Sequence, residues 1–214
     1  MNRYTPVTNL AKRDALKARA IGPDACAIAR FSSFLEERSC TYWGENELGQ
    51  VLPIRKTKPD FFVRTSGNSS ALVELESFEK VRFTSLALGQ NSVMSGLNET
   101  DNKRFSTALQ HACQQLKHYR DMGFPSLVVM DDFRQIGIPV NVDILGLHLL
   151  RWFDGNTERN HVSAVAWLLG EQPSVSLRVF HNPRASYALA ASFFDSTDDE
   201  YWEVQPGEFW KRKP

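Results

Sequence analysis

The sequence predicts an α/β (or α+β) fold in which helices flank a central mixed β-sheet. Its strongest support is a β-hairpin pattern from Lys58 to Glu76. A clear helical pattern follows from Asp101 to Met122, and then an apolar run from Ser126 to Met130 that is typical of a buried strand. A connection that contains a helix suits a parallel pair of strands, whereas a hairpin is antiparallel. The sheet is therefore expected to be mixed.

Length and composition favour one globular domain that spans residues 1–214. No Pro/Gly-rich linker divides the chain, and apolar residues make up 42% and charged residues 23%, which are ordinary values for a globular protein. Lys+Arg and Asp+Glu are equal at 25 each, so net charge gives no argument for nucleic-acid binding. A surface for nucleic acid would have to come from local clusters of charge.

Cysteine usage and hydropathy favour a cytoplasmic protein. The three cysteines, Cys26, Cys40 and Cys113, lack metal-ligand spacing and are expected to be reduced thiols with a structural role. The segment from Met1 to Ala20 is polar, and no apolar run reaches the length of a membrane span. We therefore expect no membrane partner.

The first half of the chain predicts helices around a short strand. Lys12 to Ala20 is basic and Ala-rich, which favours a short helix or an ordered arm, and Asp24 to Arg38 is predicted to form an amphipathic helix. Val51 to Ile54 is interpreted as a possible first strand, at an edge because of its proline. The apolar face of the amphipathic helix comprises Ala27, Ile28, Phe31, Phe34 and Leu35. On or near its opposite side we place Arg30, Ser33, Glu36 and Glu37.

The hairpin carries an acidic pattern. Its turn, residues 65–70, consists of Thr, Ser, Gly and Asn, and a centre between Gly67 and Asn68 would put position 60 opposite 74 or 75. Asp60 and Glu74 would then be cross-strand neighbours with Cβ atoms roughly 5 Å apart, so their charges would repel. A divalent cation between them is the simplest remedy.

A basic cluster immediately precedes Asp60. Its members, Arg55, Lys56 and Lys58, could contact phosphate groups, which gives a candidate substrate-binding surface. An ordinary solvated segment is nearly as good an interpretation.

The second half of the chain predicts further strands. Val140 to Phe153, Val162 to Leu169 and Val175 to Phe180 are interpreted as strands, and His181 to Arg184 as a turn. Residues 195–200 are expected to form a solvated acidic loop, and residues 210–214 a frayed tail. His111 and His118 lie two helical turns apart, too far to chelate one ion, so we interpret both as surface or packing residues.

The order of first helix, hairpin, long helix and buried strand resembles the PD-(D/E)XK, or restriction-endonuclease-like, nuclease superfamily. The resemblance covers a core of about residues 24–132, and it leaves residues 133–214 as an elaboration with extra antiparallel strands. One departure is Glu76, because the family pattern has lysine two residues after the second acid; some restriction enzymes of the superfamily are similar in carrying glutamate. The motifs that carry the resemblance are Pro59-Asp60, Glu74-Leu75-Glu76 and Gln115-x-x-x-Tyr119.

The resemblance implies a Mg²⁺-dependent (or Mn²⁺-dependent) endonuclease that hydrolyses phosphodiester bonds, with DNA as the expected partner. Asp60, Glu74 and the Leu75 carbonyl would hold the metal, and Glu76 would bind a second cation or orient the attacking water. Gln115 would orient a group of the active site. A catalytic role is thus implied for Asp60, Glu74, Glu76 and Gln115.

Other functions remain open at this stage. Glu76 in place of lysine also fits a catalytically inactive nuclease-like module that binds nucleic acid or a protein. Lys80 could only partly supply the missing amine, because four residues of strand span about 13 Å. Glu36 and Glu37 could add an acid from the first helix, although a solvated helix face is the better interpretation. An unrelated α/β structural protein, a homodimer and a larger complex are also compatible with the sequence.

Overall fold

Eight strands form one mixed sheet in the computed structural model, which describes residues 23–53, 55–77, 99–131, 142–170, 175–194, 199–204 and 210–212. Each strand pairs with the next one along the chain, so the strands lie side by side in chain order. The strands are β1 (Thr41–Gly44), β2 (Phe61–Arg64), β3 (Ser70–Ser77), β4 (Ser126–Asp131), β5 (Ala164–Leu169), β6 (Ser176–His181), β7 (Glu200–Val204) and β8 (Trp210–Arg212).

Three α-helices accompany this sheet in the described part of the chain. They are α1 (Pro23–Glu37), α2 (Glu99–Leu116) and α3 (Val142–Asp154). Short 3-10 helices cover Leu48–Gln50, Lys117–Tyr119 and Thr157–His161. Gly123, with φ of 80°, follows the end of the α2 segment, as expected for a residue that stops a helix.

The strand directions confirm a mixed sheet with flanking helices. β1, β2 and β3 are antiparallel neighbours, whereas β4 is parallel to both β3 and β5. β6 is antiparallel to β5, as the sequence predicts, but β7 is parallel to β6 and β8 is antiparallel to β7. The strands after residue 132 therefore continue the mixed sheet, and they are only partly antiparallel.

The predicted hairpin is present. Phe61 lies opposite Val73, and the same register continued by one residue puts Asp60 opposite Glu74. In the turn, Asn68 has φ of 64°, a left-handed conformation that asparagine tolerates better than most residues. Polar turn chemistry thus sets the register, and the register makes the two acids neighbours.

The sheet separates two hydrophobic cores. The core under α1 includes Phe31, Phe34, Leu35, Phe61, Val63, Val73, Val129 and Ala166. The core under α2 and α3 includes Phe62, Leu72, Leu109, Leu116, Val128, Met130, Leu149, Phe153 and Trp167. Because side chains alternate along a strand, Glu74 and Glu76 share the α2 face with Leu72.

Two of the predicted strands are wrong. Residues 142–154 form helix α3, in which Leu149, Trp152 and Phe153 are buried while Leu147 and Arg151 are exposed, a spacing of three to four that suits a helix. The apolar run alone could not distinguish a buried helix from a strand. The first strand is β1, and Val51 and Leu52 instead follow a 3-10 helix, because both donate backbone hydrogen bonds to the Leu48 carbonyl.

The predicted acidic loop and frayed tail are also wrong where they are described. Asp199 is buried and accepts a hydrogen bond of 2.7 Å from the Leu177 backbone N–H. Glu200 begins β7 and forms an ion pair with Arg178, and residues 210–212 form β8. The described residues 200–204 and 210–212 satisfy their backbone groups by strand pairing at the end of the sheet.

Arg30 is a further correction, since the sequence placed it on the polar side of the first helix. It is buried, and its guanidinium donates to the Asp131 carboxylate and, over 2.5 Å, to the Gly170 carbonyl. The ends of β4 and β5 cover that side of α1, so a charged residue there needs a buried partner. The segment from Lys12 to Ala20 lies outside the described residues, and none of the described helices has the length and apolar character needed to cross a membrane.

Candidate functional site

The hairpin and helix α2 bring together the candidate site. Strand β3 contributes acids on the face that α2 covers, the residue before β2 adds another acid, and α2 contributes an imidazole and an amide one helical turn apart. The residues are Asp60, Glu74, Glu76, His111 and Gln115. Four of them were predicted as catalytic residues from the sequence, and the structure places them in one cluster around Glu74.

Glu74 is the most deeply buried member, with 3% of its surface exposed. Its Oε1 accepts a hydrogen bond of 2.7 Å from Gln115 Nε2, and its buried Oε2 has no hydrogen-bond partner among the described residues. The pKa of Glu74 is raised to about 10, first by burial and then by the charges of Asp60 and Glu76, while the hydrogen bond from Gln115 acts in the opposite direction. Without a cation the site holds a carboxylic acid that resists ionisation.

Asp60 is held against strand β3 by the backbone. Its Oδ2 accepts a hydrogen bond of 2.8 Å from the Leu75 N–H. This contact keeps one oxygen of Asp60 at the strand, in the register that places it opposite Glu74. Ligation of a metal by the Leu75 carbonyl stays a prediction.

Glu76 contacts a histidine that the sequence analysis had assigned to the surface or to packing. His111 Nδ1 lies 2.7 Å from Glu76 Oε1. Together with Glu74 these side chains offer three ligand atoms that all lie within 4.8 Å of one another. The spacing of His111 and Gln115 carried the missed signal, because residues four apart on a helix share a face.

Gln115 is positioned by its surroundings. Thr57 Oγ1 donates a hydrogen bond of 3.2 Å to the Gln115 carbonyl, which ties the segment before β2 to the end of α2. Tyr119, one turn further, is buried in the core. The Gln-x-x-x-Tyr pattern therefore combines one polar contact to Glu74 with one apolar anchor.

The basic cluster is divided between different surroundings. Arg55 forms an ion pair with Asp121 at 2.8 Å, donates to the His118 carbonyl and lies over the Tyr119 ring, 5.5 Å from its centroid. Lys56 is exposed and Lys58 is half-buried. Binding of substrate by the three residues stays a prediction, and Arg55 would have to share its charge between Asp121 and a phosphate.

Glu36 and Glu37 lie on α1, which packs on the opposite face of the sheet. Glu36 accepts a hydrogen bond of 3.1 Å from the Tyr42 hydroxyl, and Glu37 is exposed. They are therefore separated by the sheet from Glu74. The solvated and structural interpretation of these two acids is the better one.

The donor set around Glu74 fits a divalent cation. Two further carboxylates raise its pKa, no basic group is among the causes of that shift, and one of its buried oxygens lacks a partner among the described residues. Carboxylate oxygens and imidazole nitrogens are ordinary ligands of divalent metal ions. A bound cation would place a positive charge beside the Glu74 oxygen.

Comparisons with known proteins give no further guide to this site. No protein-family model matches the chain. No curated protein and no solved structure shows significant similarity to it. Any functional conclusion therefore depends on the chemistry of Glu74 and its neighbours.

Proposed function

We propose that this protein is a metal-dependent nuclease that hydrolyses phosphodiester bonds of DNA. The observation that carries the proposal is Glu74, a buried carboxylate that lies near Asp60 and Glu76 and has one oxygen without a hydrogen-bond partner among the described residues. Isolated buried charges are costly, so proteins retain such clusters mainly where a cation or a reaction uses them.

The chain's own residues supply the positions that such a reaction needs. The Leu75 N–H holds Asp60, and the Gln115 amide holds Glu74, so that both carboxylates are oriented before substrate arrives. Asp60, Glu74 and the Leu75 carbonyl would hold Mg²⁺ or Mn²⁺. The bound cation would lower the pKa of water and offset charge on the phosphate.

Glu76 has a separate role in this proposal. It lies on the same strand face as Glu74 and next to His111, where it can orient the attacking water. As a carboxylate it cannot provide the positive charge of the lysine found in the PD-(D/E)XK pattern. That charge would have to come from a cation.

Substrate affinity would come from phosphate contacts made by Arg55, Lys56 and Lys58, which precede Asp60 in the chain. The three cysteines lack disulfide partners, which suits the reducing cytoplasm in which we place the protein.

A second candidate is a catalytically silent nuclease-like module that binds nucleic acid or a protein. The observation that favours it is Glu76 itself, because it occupies the position of the usual lysine and contacts His111. Such a module would keep the fold and the binding surface without hydrolysis.

Cleavage assays separate the two candidates. Purified protein with Mg²⁺ or Mn²⁺ should cut at least one of single-stranded, duplex and branched DNA. Asp60→Asn and Glu74→Gln should abolish cleavage, because an amide is a poor ligand for a hard cation. Glu37→Gln, which changes an exposed acid on the opposite face of the sheet, should leave it unchanged. Intact DNA and RNA in all wild-type reactions would rule out the enzyme and favour the silent module.

A further inference from the structure

The imidazole of His111 makes the site chemically different from one built of oxygen ligands alone. Mg²⁺ takes oxygen ligands in strict octahedral geometry, whereas imidazole suits transition-metal ions. We propose that Glu74, Glu76 and His111 form a cation position that prefers transition-metal ions over Mg²⁺. This inference rests on the proposed function and extends it, since that function requires a divalent cation without specifying which.

The distances agree with one shared ion. The three ligand atoms lie within 4.8 Å of one another. Two ligands on opposite sides of one ion, each about 2.0–2.3 Å from it, are separated by about 4.0–4.6 Å. The ligand atoms are therefore about as close to one another as atoms that share one cation.

Burial gives a second observation that points to a ligand at this cluster. Glu74 is 97% buried, since 3% of it is exposed, and its Oε2 lacks a hydrogen-bond partner among the described residues. The Glu76 side chain is 17% exposed and that of His111 is 61% exposed. The cluster thus extends from the interior, at Glu74, to solvent, at His111.

The contact between His111 and Glu76 is compatible with the binding of a cation between them. At 2.7 Å the imidazole and the carboxylate are at hydrogen-bond distance. Coordination would replace that hydrogen bond, since both groups would then turn their lone pairs to the same ion. His111 would be a ligand in the loaded protein and a surface partner of Glu76 in the metal-free protein.

Glu74 belongs to two proposed cation positions. One includes Glu76 and His111, and the other includes Asp60 and the Leu75 carbonyl. The two positions differ in their remaining ligands, so they can be tested separately. Asp60→Asn should weaken the oxygen-rich position, and His111→Ala should weaken the imidazole position. An activity assay alone would not make this distinction, because both positions adjoin the same carboxylate.

Calorimetric titration of the full chain with Mg²⁺, Mn²⁺ and Co²⁺ tests the inference. The affinity of nitrogen-containing sites for divalent ions is higher for Co²⁺ than for Mn²⁺, and Mg²⁺ prefers oxygen ligands. An imidazole ligand should therefore contribute most to Co²⁺ binding, less to Mn²⁺ binding and least to Mg²⁺ binding. His111→Ala should weaken Co²⁺ binding on the order of tenfold or more, since loss even of outer-shell partners of metal ligands costs that much. It should weaken Mn²⁺ binding less and leave Mg²⁺ binding unchanged.

His118→Ala is the matched control, because it removes an exposed imidazole from the end of the same helical segment. It should leave all three affinities unchanged. Equal affinities of wild type and His111→Ala for every cation, or an equal loss for all three, would overturn the inference.

The outcome is separable from that of the proposed function. One result would retain the nuclease and reject this inference: Mg²⁺-dependent cleavage that requires Asp60, with cation affinities that His111→Ala does not change. Binding of Co²⁺ that depends on His111, in a protein that cuts no nucleic acid, would do the reverse.

Discussion

Two buried carboxylates on neighbouring parallel strands have opposite surroundings. Asp131 in β4 is fully buried and accepts a hydrogen bond from the Arg30 guanidinium on the α1 face of the sheet. Glu74 in β3 is almost as buried on the α2 face, but its neighbours are the neutral Gln115 amide and further acids. In the part of the chain that the structure describes, a permanent positive charge therefore contacts Asp131, whereas the contact of the Glu74 carboxylate is a neutral amide.

Under the proposed function, Asp131 is a structural charge and Glu74 is a functional one. Asp131, which has a fixed guanidinium partner, joins α1 to the sheet, and its charge is compensated without an added cation. A carboxylate with acidic neighbours is unstable as an anion until a cation arrives. The difference between the two carboxylates can be tested by removing Arg30 on the α1 face or the acidic group of Glu74 on the α2 face.

Removal of the fixed partner should have the largest effect. Arg30→Ala leaves Asp131 buried without its counter-ion, which should lower the free energy of unfolding by about 3–5 kcal/mol. Arg151→Ala, which removes an exposed arginine from α3, is the control and should change it by less than about 0.5 kcal/mol. Urea unfolding measures both. A loss below about 1 kcal/mol for Arg30→Ala would mean that Asp131 does not depend on that guanidinium.

The same chemical change at the two carboxylates should have opposite signs. Glu74→Gln should raise the free energy of unfolding of the metal-free protein by up to about 3 kcal/mol at pH 7, because it removes an acid that folding forces to stay protonated. Asp131→Asn should instead lower it, because Arg30 then lacks its partner. Urea unfolding in EDTA gives both values.

The pH dependence of the free energy of unfolding gives a further test of the raised pKa of Glu74. The pKa of Glu74 is raised from 4.5 to about 10 in the folded protein, so the folded state holds more protons than the unfolded state between those values. The contribution of Glu74 to the free energy of unfolding should therefore be fully present below its unfolded-state pKa. It should be lost as pH rises toward the folded-state pKa. Glu74→Gln should decline less steeply over this interval. Parallel pH profiles for the two proteins would contradict the raised pKa.

A smaller effect is expected from the amide that holds Glu74. Gln115→Leu removes a hydrogen bond that lowers the pKa of Glu74, so its pKa should rise further. Affinity for Mn²⁺ should fall about fivefold, equivalent to about 1 kcal/mol for one hydrogen bond. The adjacent Gln114→Leu, at an exposed position, should leave the affinity unchanged. Similar titration curves for the two variants would show that Gln115 does not position Glu74.

Local patterns made much of the fold predictable. The polar turn between apolar runs specifies the hairpin, and the three-to-four spacing of apolar residues specifies α2. These signals depend only on residues close in sequence. The same turn narrowed the partner of position 60 to 74 or 75, and the observed register of Phe61 opposite Val73 selects Glu74.

Features that depend on distant residues were missed. Arg30 looked like a solvated helix residue because its partner Asp131 lies 101 positions away in the chain. Strand β1 is only four residues long, and it is defined by pairing with β2 rather than by its own pattern. His111 is exposed and has no local signal of its own. Only its helical spacing from Gln115 links it to the site.

The central claim is that Glu74 uses a bound cation where Asp131 uses a built-in arginine. Crystals soaked in Mn²⁺ and measured for anomalous scattering test it most directly. We expect an anomalous peak about 2.0–2.6 Å from Glu74 Oε2, the range of oxygen ligands to hard cations, and no peak beside Asp131. Absence of manganese at Glu74, with its carboxylate turned onto a basic side chain instead, would contradict the account.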